Sequence, residues 1–129
     1  MRKPALIAFA MMAATAAVST PALAAGDAAA GQKAFNKCRA CHVADKETNR
    51  VGPHLVGIVG RKAGAVENFK YSDAMKKAGE GGLVWTTDNI AQYMKNPKGF
   101  VAGNKMAFAG IKNDGEIADL VAYLESAGK

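Results

Sequence analysis

Apolar positions recur at helical spacing in a few short runs along this chain, and polar stretches rich in glycine and proline separate those runs. The most regular stripe lies near the C-terminus, where Ile117, Leu120, Val121 and Leu124 share one face. That stripe predicts an amphipathic helix, with Asp114 as its cap. A first helix is predicted from Asp27, a capping residue, to about Arg39, with Gly31 and Phe35 one turn apart on one side. Ser72 is placed to cap a short helix ending near Gly79. Thr86 or Thr87 caps another, Asp88 to Asn96, which Pro97 terminates. Between Val43 and Lys70 glycine, proline and polar residues dominate, and 97–106 reads as irregular. An uninterrupted loop as long as 43–70 is uncommon in a small domain unless it wraps a ligand. The pattern is that of a small all-α domain, with no internal repeat.

The N-terminus departs from this pattern. Arg2 and Lys3 precede an uncharged, largely apolar run from Ala5 to Val18, and Pro21-Ala22-Leu23-Ala24 ends in small residues. This is the form of a secretory signal peptide, 1–24, with cleavage expected after Ala24. The run is short for a membrane span and carries a cleavage site that an anchor would lack. The remaining 25–129 is one domain, exported and without a membrane anchor, and a bacterial periplasm is its expected location.

The full chain has a formal net charge of +6, which falls by two when Arg2 and Lys3 leave with the signal. A mild basic excess usually means a solvated surface, and it is also compatible with acidic protein partners. No motif for nucleic acid accompanies it. A single small domain buries a modest core, so a covalently held apolar cofactor would add substantially to it.

The chemistry is concentrated in Cys38-Arg39-Ala40-Cys41-His42, which holds both cysteines of the chain. This spacing is the attachment signature of c-type haem. Two thiols about one helical turn apart can each form a thioether with one haem vinyl group, and the adjacent imidazole is carried to the iron. A zinc site would want four ligands, and only these thiols, His42 and His54 are on offer. A redox dithiol normally opens a helix after a strand, and no β-branched or alternating run precedes Cys38.

A second iron ligand must come from elsewhere. Met75 and Met94 lie on predicted helices, where methionine is ordinarily core. Met106 lies in the irregular stretch, flanked by glycine and lysine, where the backbone is free to deliver a thioether, a soft ligand for iron. His54 competes as a donor, but it sits soon after His42 and is expected on the same side.

Taken in order, these motifs resemble those of class I cytochromes c, closest to the bacterial cytochrome c2 and mitochondrial cytochrome c group. Gly26-Asp27 with Gly31 and Phe35, then Cys38 to His42, resemble the family's first helix and haem site. Gly52-Pro53 and Gly60-Arg61-Lys62 are similar to the loop beneath the haem, and Tyr71, Trp85 and Tyr93 to three aromatic positions around it. Gly103-Asn104-Lys105-Met106 followed by Phe108 to Lys112 resembles the axial-methionine loop, and Leu120 to Leu124 the helix that crosses the first.

The resemblance implies a cytochrome c fold wrapped around one haem, with crossing terminal helices and His42 and Met106 as iron ligands. It implies that Pro53 accepts from the His42 Nδ1–H and so fixes its tautomer. Tyr71, Trp85 and Arg61 would support a buried propionate, and Tyr93 would lie near the Met106 sulfur. Gly31 would let the terminal helices cross closely against Leu120 and Tyr123. Lys33, Lys37, Arg50, Lys98, Lys105 and Lys112 match positions that ring the haem edge and would steer the protein to acidic redox partners. Those partners would be a bc1-type donor and an oxidase, reaction centre or dehydrogenase, met by a monomer in brief contacts.

Departures from the mitochondrial form are local. Three extra residues fall between Tyr71 and Trp85, glycine-rich around Gly79 to Gly82. Ala102 stands where proline is frequent, and Asn104 where threonine is common. Asn104 is expected to bond a propionate or Tyr93. With both axial positions filled, one-electron transfer is the implied activity rather than enzymology. The competing reading is a haem peroxidase or gas sensor with a labile sixth ligand, which would need an acid–base group near Met106, where no histidine lies.

Overall fold

A computed structural model describes residues 26–128, so the expected signal peptide lies outside the described residues. The first element, α1 (Ala28–Ala34), opens on Asp27, whose carboxylate accepts from the Ala29 and Ala30 N–H groups at 2.8 and 3.2 Å. It is shorter than the sequence predicts. After Ala34 the chain tightens into a 3-10 turn, Phe35–Lys37, and then into the turns that hold the two cysteines. The tightening drives Phe35 into the core, where it is among the largest fully buried side chains.

Residues 43–70 contain no helix, as the glycine and proline pattern predicts. Their single regular feature is an isolated antiparallel bridge, Lys62 to Val84. Helix α2 (Asp73–Glu80) is capped by the Ser72 hydroxyl, which accepts from Met75 N–H at 3.1 Å. Helix α3 (Thr87–Lys95) is capped by Thr86 rather than Thr87, with Asn89 N–H as donor at 3.1 Å.

Asn96 then does two jobs. Its backbone leaves the helical region and ends α3, and its side chain accepts from Gly99 N–H at 3.0 Å. That second bond opens a single turn, α4 (Pro97–Phe100), within the stretch the sequence assigns as irregular. Pro97 suits the first position of this turn, where its missing N–H costs nothing.

The last helix, α5 (Asp114–Ser126), buries Ile117, Leu120, Val121 and Leu124 as the periodicity requires. Its cap is Asn113, one residue earlier than expected, and the Asn113 side chain accepts from Glu116 N–H at 3.0 Å. Asp114 instead sits in the first turn, where its charge favours the helix dipole.

Helices α1 and α5 form the main packing of the fold, with α3 against α5. The two ends of the domain are stitched by Asp27 N–H donating to the Asp119 carboxylate at 2.7 Å, and by Phe35 against Tyr123 at 5.3 Å between ring centroids. Among the described residues the elements are helical, and no helix is long and apolar enough to cross a membrane.

Candidate functional site

The turns after α1, the 43–70 loop, α2, α3, the methionine segment and α5 all contribute to one cavity of about 270 Å³. The cysteine motif reaches it through consecutive turns. Cys38 N–H closes on Phe35 O at 2.8 Å, and His42 N–H returns to Cys38 O at 2.8 Å, so Cys38, Cys41 and His42 all line the cavity. The two thiols are not bonded to each other. Burial pushes the Cys38 thiol up to about 11 against the opposing pull of Lys37, so its sulfur faces an apolar surround.

His42 is held from behind. Its Nδ1 lies 2.7 Å from Pro53 O, and because a carbonyl can only accept, Nδ1 carries the proton and Nε2 keeps its lone pair. Burial depresses the His42 pKa, against the weaker upward effect of the Pro53 bond, so the ring is neutral, as a metal-binding imidazole must be. Gly52 is the cradle for this ring. A Cβ built there would lie 2.3 Å from His42 Cε1 and 2.8 Å from Nε2, so any side chain at this position would force the ring or the loop to shift.

Met106 lines the same cavity, with its sulfur 4.0 Å from the Tyr93 hydroxyl. Tyr93 is buried, its pKa pushed up to about 12 by that burial, and it packs on Trp85 at 4.9 Å between centroids. Tyr71, Trp85 and Arg61 are brought to the cavity as well. The Tyr71 oxygen accepts from Val66 N–H at 3.1 Å, which leaves its own proton free to donate. Arg61 donates to the carbonyls of His54 (2.8 Å) and Val56, fixing a guanidinium that still has N–H groups to spare.

His54 is placed differently. It lines a polar cleft with Glu47 and Asn49, separated from the main cavity by Arg61. Asn104 also departs from expectation. Both of its amide protons go to backbone carbonyls, Pro97 O and Val101 O, each at 2.9 Å, so no donor is left for a propionate. Of the six basic residues singled out in the sequence, Lys37 and Lys105 reach the cavity rim, and all six are exposed. Lys37 pairs with Glu116, and Lys105 lies 5.6 Å from the Phe69 ring centroid.

Sequence reasoning treats Met75 and Met94 as core, yet both line the cavity, with Leu120 and Leu124 of α5. A helical stripe that packs on protein and one that packs on a cofactor have the same period, so the pattern alone cannot separate them. Val51 was not singled out either, although it stands on the rim and is 77% exposed.

An apolar cavity with two thiols and a neutral imidazole presented together fits a large, flat, covalently tethered cofactor. The donors suit iron porphyrin, with a thioether available beside Tyr93 as a further ligand. Fold and site together define a small helical haem-carrying domain for electron transfer.

Comparison with known proteins agrees. The cytochrome c family model matches residues 28–128. Cytochrome c2 of Agrobacterium tumefaciens (strain II Chrys) is 49% identical over 100 residues, covering 77% of this chain and 90% of the relative. Cytochrome c-550 of Nitrobacter winogradskyi is 48% identical over 105 residues, covering 81% and 94%. Among solved structures, ferricytochrome c2 from Rhodopseudomonas palustris superposes with a TM-score of 0.72 at 43% identity, covering 78% of this chain and 98% of the other. The chain belongs to the cytochrome c family. It carries one haem c, bound covalently through Cys38 and Cys41, and serves electron transfer rather than catalysis.

Proposed function

We propose that this protein is an exported periplasmic one-electron carrier in which His42 and Met106 ligate the haem iron. On this reading 1–24 is a signal peptide and 25–129 the working domain. The observation that carries it is the convergence of the His42 imidazole and the Met106 thioether on one cavity, with His42 Nδ1 already committed to Pro53 at 2.7 Å. Bound haem supplies reversible exchange of one electron between ferrous and ferric iron.

The chain's own residues then do three things. Pro53 and Gly52 fix the tautomer and the position of the His42 ring, so Nε2 stays aimed at one point. Tyr93, Trp85 and the apolar walls exclude water, which favours the less charged reduced state. Tyr71 and Arg61 supply donors for a carboxylate that would otherwise be costly to bury.

Lys37 and Lys105 at the rim, with Lys33, Arg50, Lys98 and Lys112 also exposed, form the surface read by acidic redox proteins. A monomer meeting a bc1-type donor and then an oxidase, reaction centre or dehydrogenase fits this surface. Contacts of this kind are small and dissociate quickly.

The test is the optical spectrum of the ferrous holoprotein before and after carbon monoxide. An unchanged six-coordinate haem c spectrum is expected. A rapid shift on adding the gas would mean an accessible iron, and the peroxidase or gas-sensor reading would take its place.

A further inference from the structure

Asn104 is the one buried polar side chain among the described residues, 5% exposed, and its surroundings are unusual. Its amide donates to Pro97 O and Val101 O, both at 2.9 Å. Its Oδ1 accepts from the Met106 N–H at 2.9 Å. Lys98 Nζ closes the network from outside, 2.6 Å from the Asn104 carbonyl oxygen and 3.3 Å from Oδ1. Gly103, at φ +88°, makes the turn that sends the chain back over α4.

We propose that Asn104 is the positioning residue of Met106: it clamps the α4 turn to the methionine's own backbone and thereby holds the thioether at the iron. The proposal rests on Met106 being the sixth ligand. The residue type follows from hydrogen-bond chemistry. Pro97 O and Val101 O already accept from the Val101 and Asn104 backbone N–H groups, and a neutral primary amide adds a second donor to each while accepting from the Met106 N–H, three bonds from one plane. A threonine hydroxyl has one proton to give and could tie only one of the two carbonyls to the Met106 segment. An aspartate would face both carbonyls with negative charge. Because the network is buried and fully satisfied, removing it frees the Met106 segment rather than only weakening it. Asn104 touches no reacting atom; it acts through Met106.

The experiment uses the ferric holoprotein titrated with imidazole, which competes with the methionine for iron. It is paired with the proton spectrum of the ferrous form, in which an iron-bound methionine methyl is strongly shifted. Asn104→Ala and the isosteric Asn104→Asp are compared with wild type. Ile117→Val, in α5 and away from the cavity, controls for lost stability alone. The expected result is imidazole affinity raised about tenfold or more in both Asn104 variants, the size of one lost buried hydrogen bond or more. Ile117→Val is expected to leave the affinity unmoved.

If one Asn104 variant fails to fold, the other still decides the question. Affinity in the Asn104 variants no higher than in Ile117→Val, with the methyl signal intact, overturns the positioning role while the ligand stands. A wild-type spectrum with no shifted methyl overturns the ligand assignment, and this proposal with it.

Discussion

Gly31 and Asp119 meet backbone to backbone: a Cβ built on Gly31 would lie 1.8 Å from the Asp119 carbonyl oxygen. The same phantom atom would also be 2.8 Å from Tyr123 Cβ, so the crossing of α1 and α5 exists because position 31 has no side chain. Gly31→Ala should therefore push the helices apart, at a cost of about 1–3 kcal/mol or more for overpacking. The denaturation midpoint of the holoprotein measures this. Gly57→Ala is the companion variant, since Gly57 has φ +64° and nothing within 4 Å of a Cβ. It should cost only the left-handed backbone penalty, about 1 kcal/mol.

Asn113, and not Asp114, carries the cap of α5. Asn113→Ala is expected to lose about 1 kcal/mol, as removed caps do. Asp114→Ala should lose less, because its ion pair with Lys95, 2.8 Å long, is well exposed. Urea titration of the two variants side by side checks the ordering, and a larger loss in Asp114→Ala would return the cap to Asp114.

Gly52 has no room for a methyl group beside the His42 ring. In Gly52→Ala the imidazole must move off its bond to Pro53 or the loop must retreat. Either movement would disturb the imidazole proposed as an iron ligand, so the expected outcome is a lowered reduction potential or a high-spin ferric spectrum. A variant with wild-type potential and spectrum would show that the methyl group is accommodated without disturbing the imidazole.

Tyr71 titrates above its ordinary value of 10.0, raised by burial against smaller lowering effects from the Val66 bond and Arg61. The unfolded chain therefore gives up this proton at a lower pH than the folded one. Its contribution to stability is fully present below pH 10 and is lost as pH climbs through the folded value. Tyr71→Phe should flatten that alkaline portion of the stability curve, followed by chemical denaturation at successive pH values. A slope above pH 10 equal to wild type would place the loss in other groups.

Local chemistry was the most legible part of this chain. Ser72 and Thr86 are caps because a hydroxyl reaches an N–H three residues on, a bond written in the sequence itself. The stripe of α5 is equally local. What could not be read were features set by distant partners. The 3-10 tightening after Ala34 answers to Phe35 packing on Tyr123, and nothing near Phe35 in the sequence announces it. Asn104 was read toward a propionate or Tyr93 because the α4 turn, whose carbonyls take its protons, was read as irregular chain. The cysteine motif needed only its spacing; Pro53 and Tyr93 were reached through resemblance to a family, since a turn proline and a helical tyrosine carry no chemical signal of their own.

The crossing of α1 and α5 also orders events in time. The cysteines follow the first helix, whereas Leu120 and Leu124, which close the cavity, belong to the last. Bringing residue 31 to residue 119 requires closing nearly the whole domain into one loop, a slow step with a large entropic barrier. The motif that holds the cofactor and the α5 residues that close over it therefore lie far apart in the chain, and the longest loop of the fold must close to bring them together.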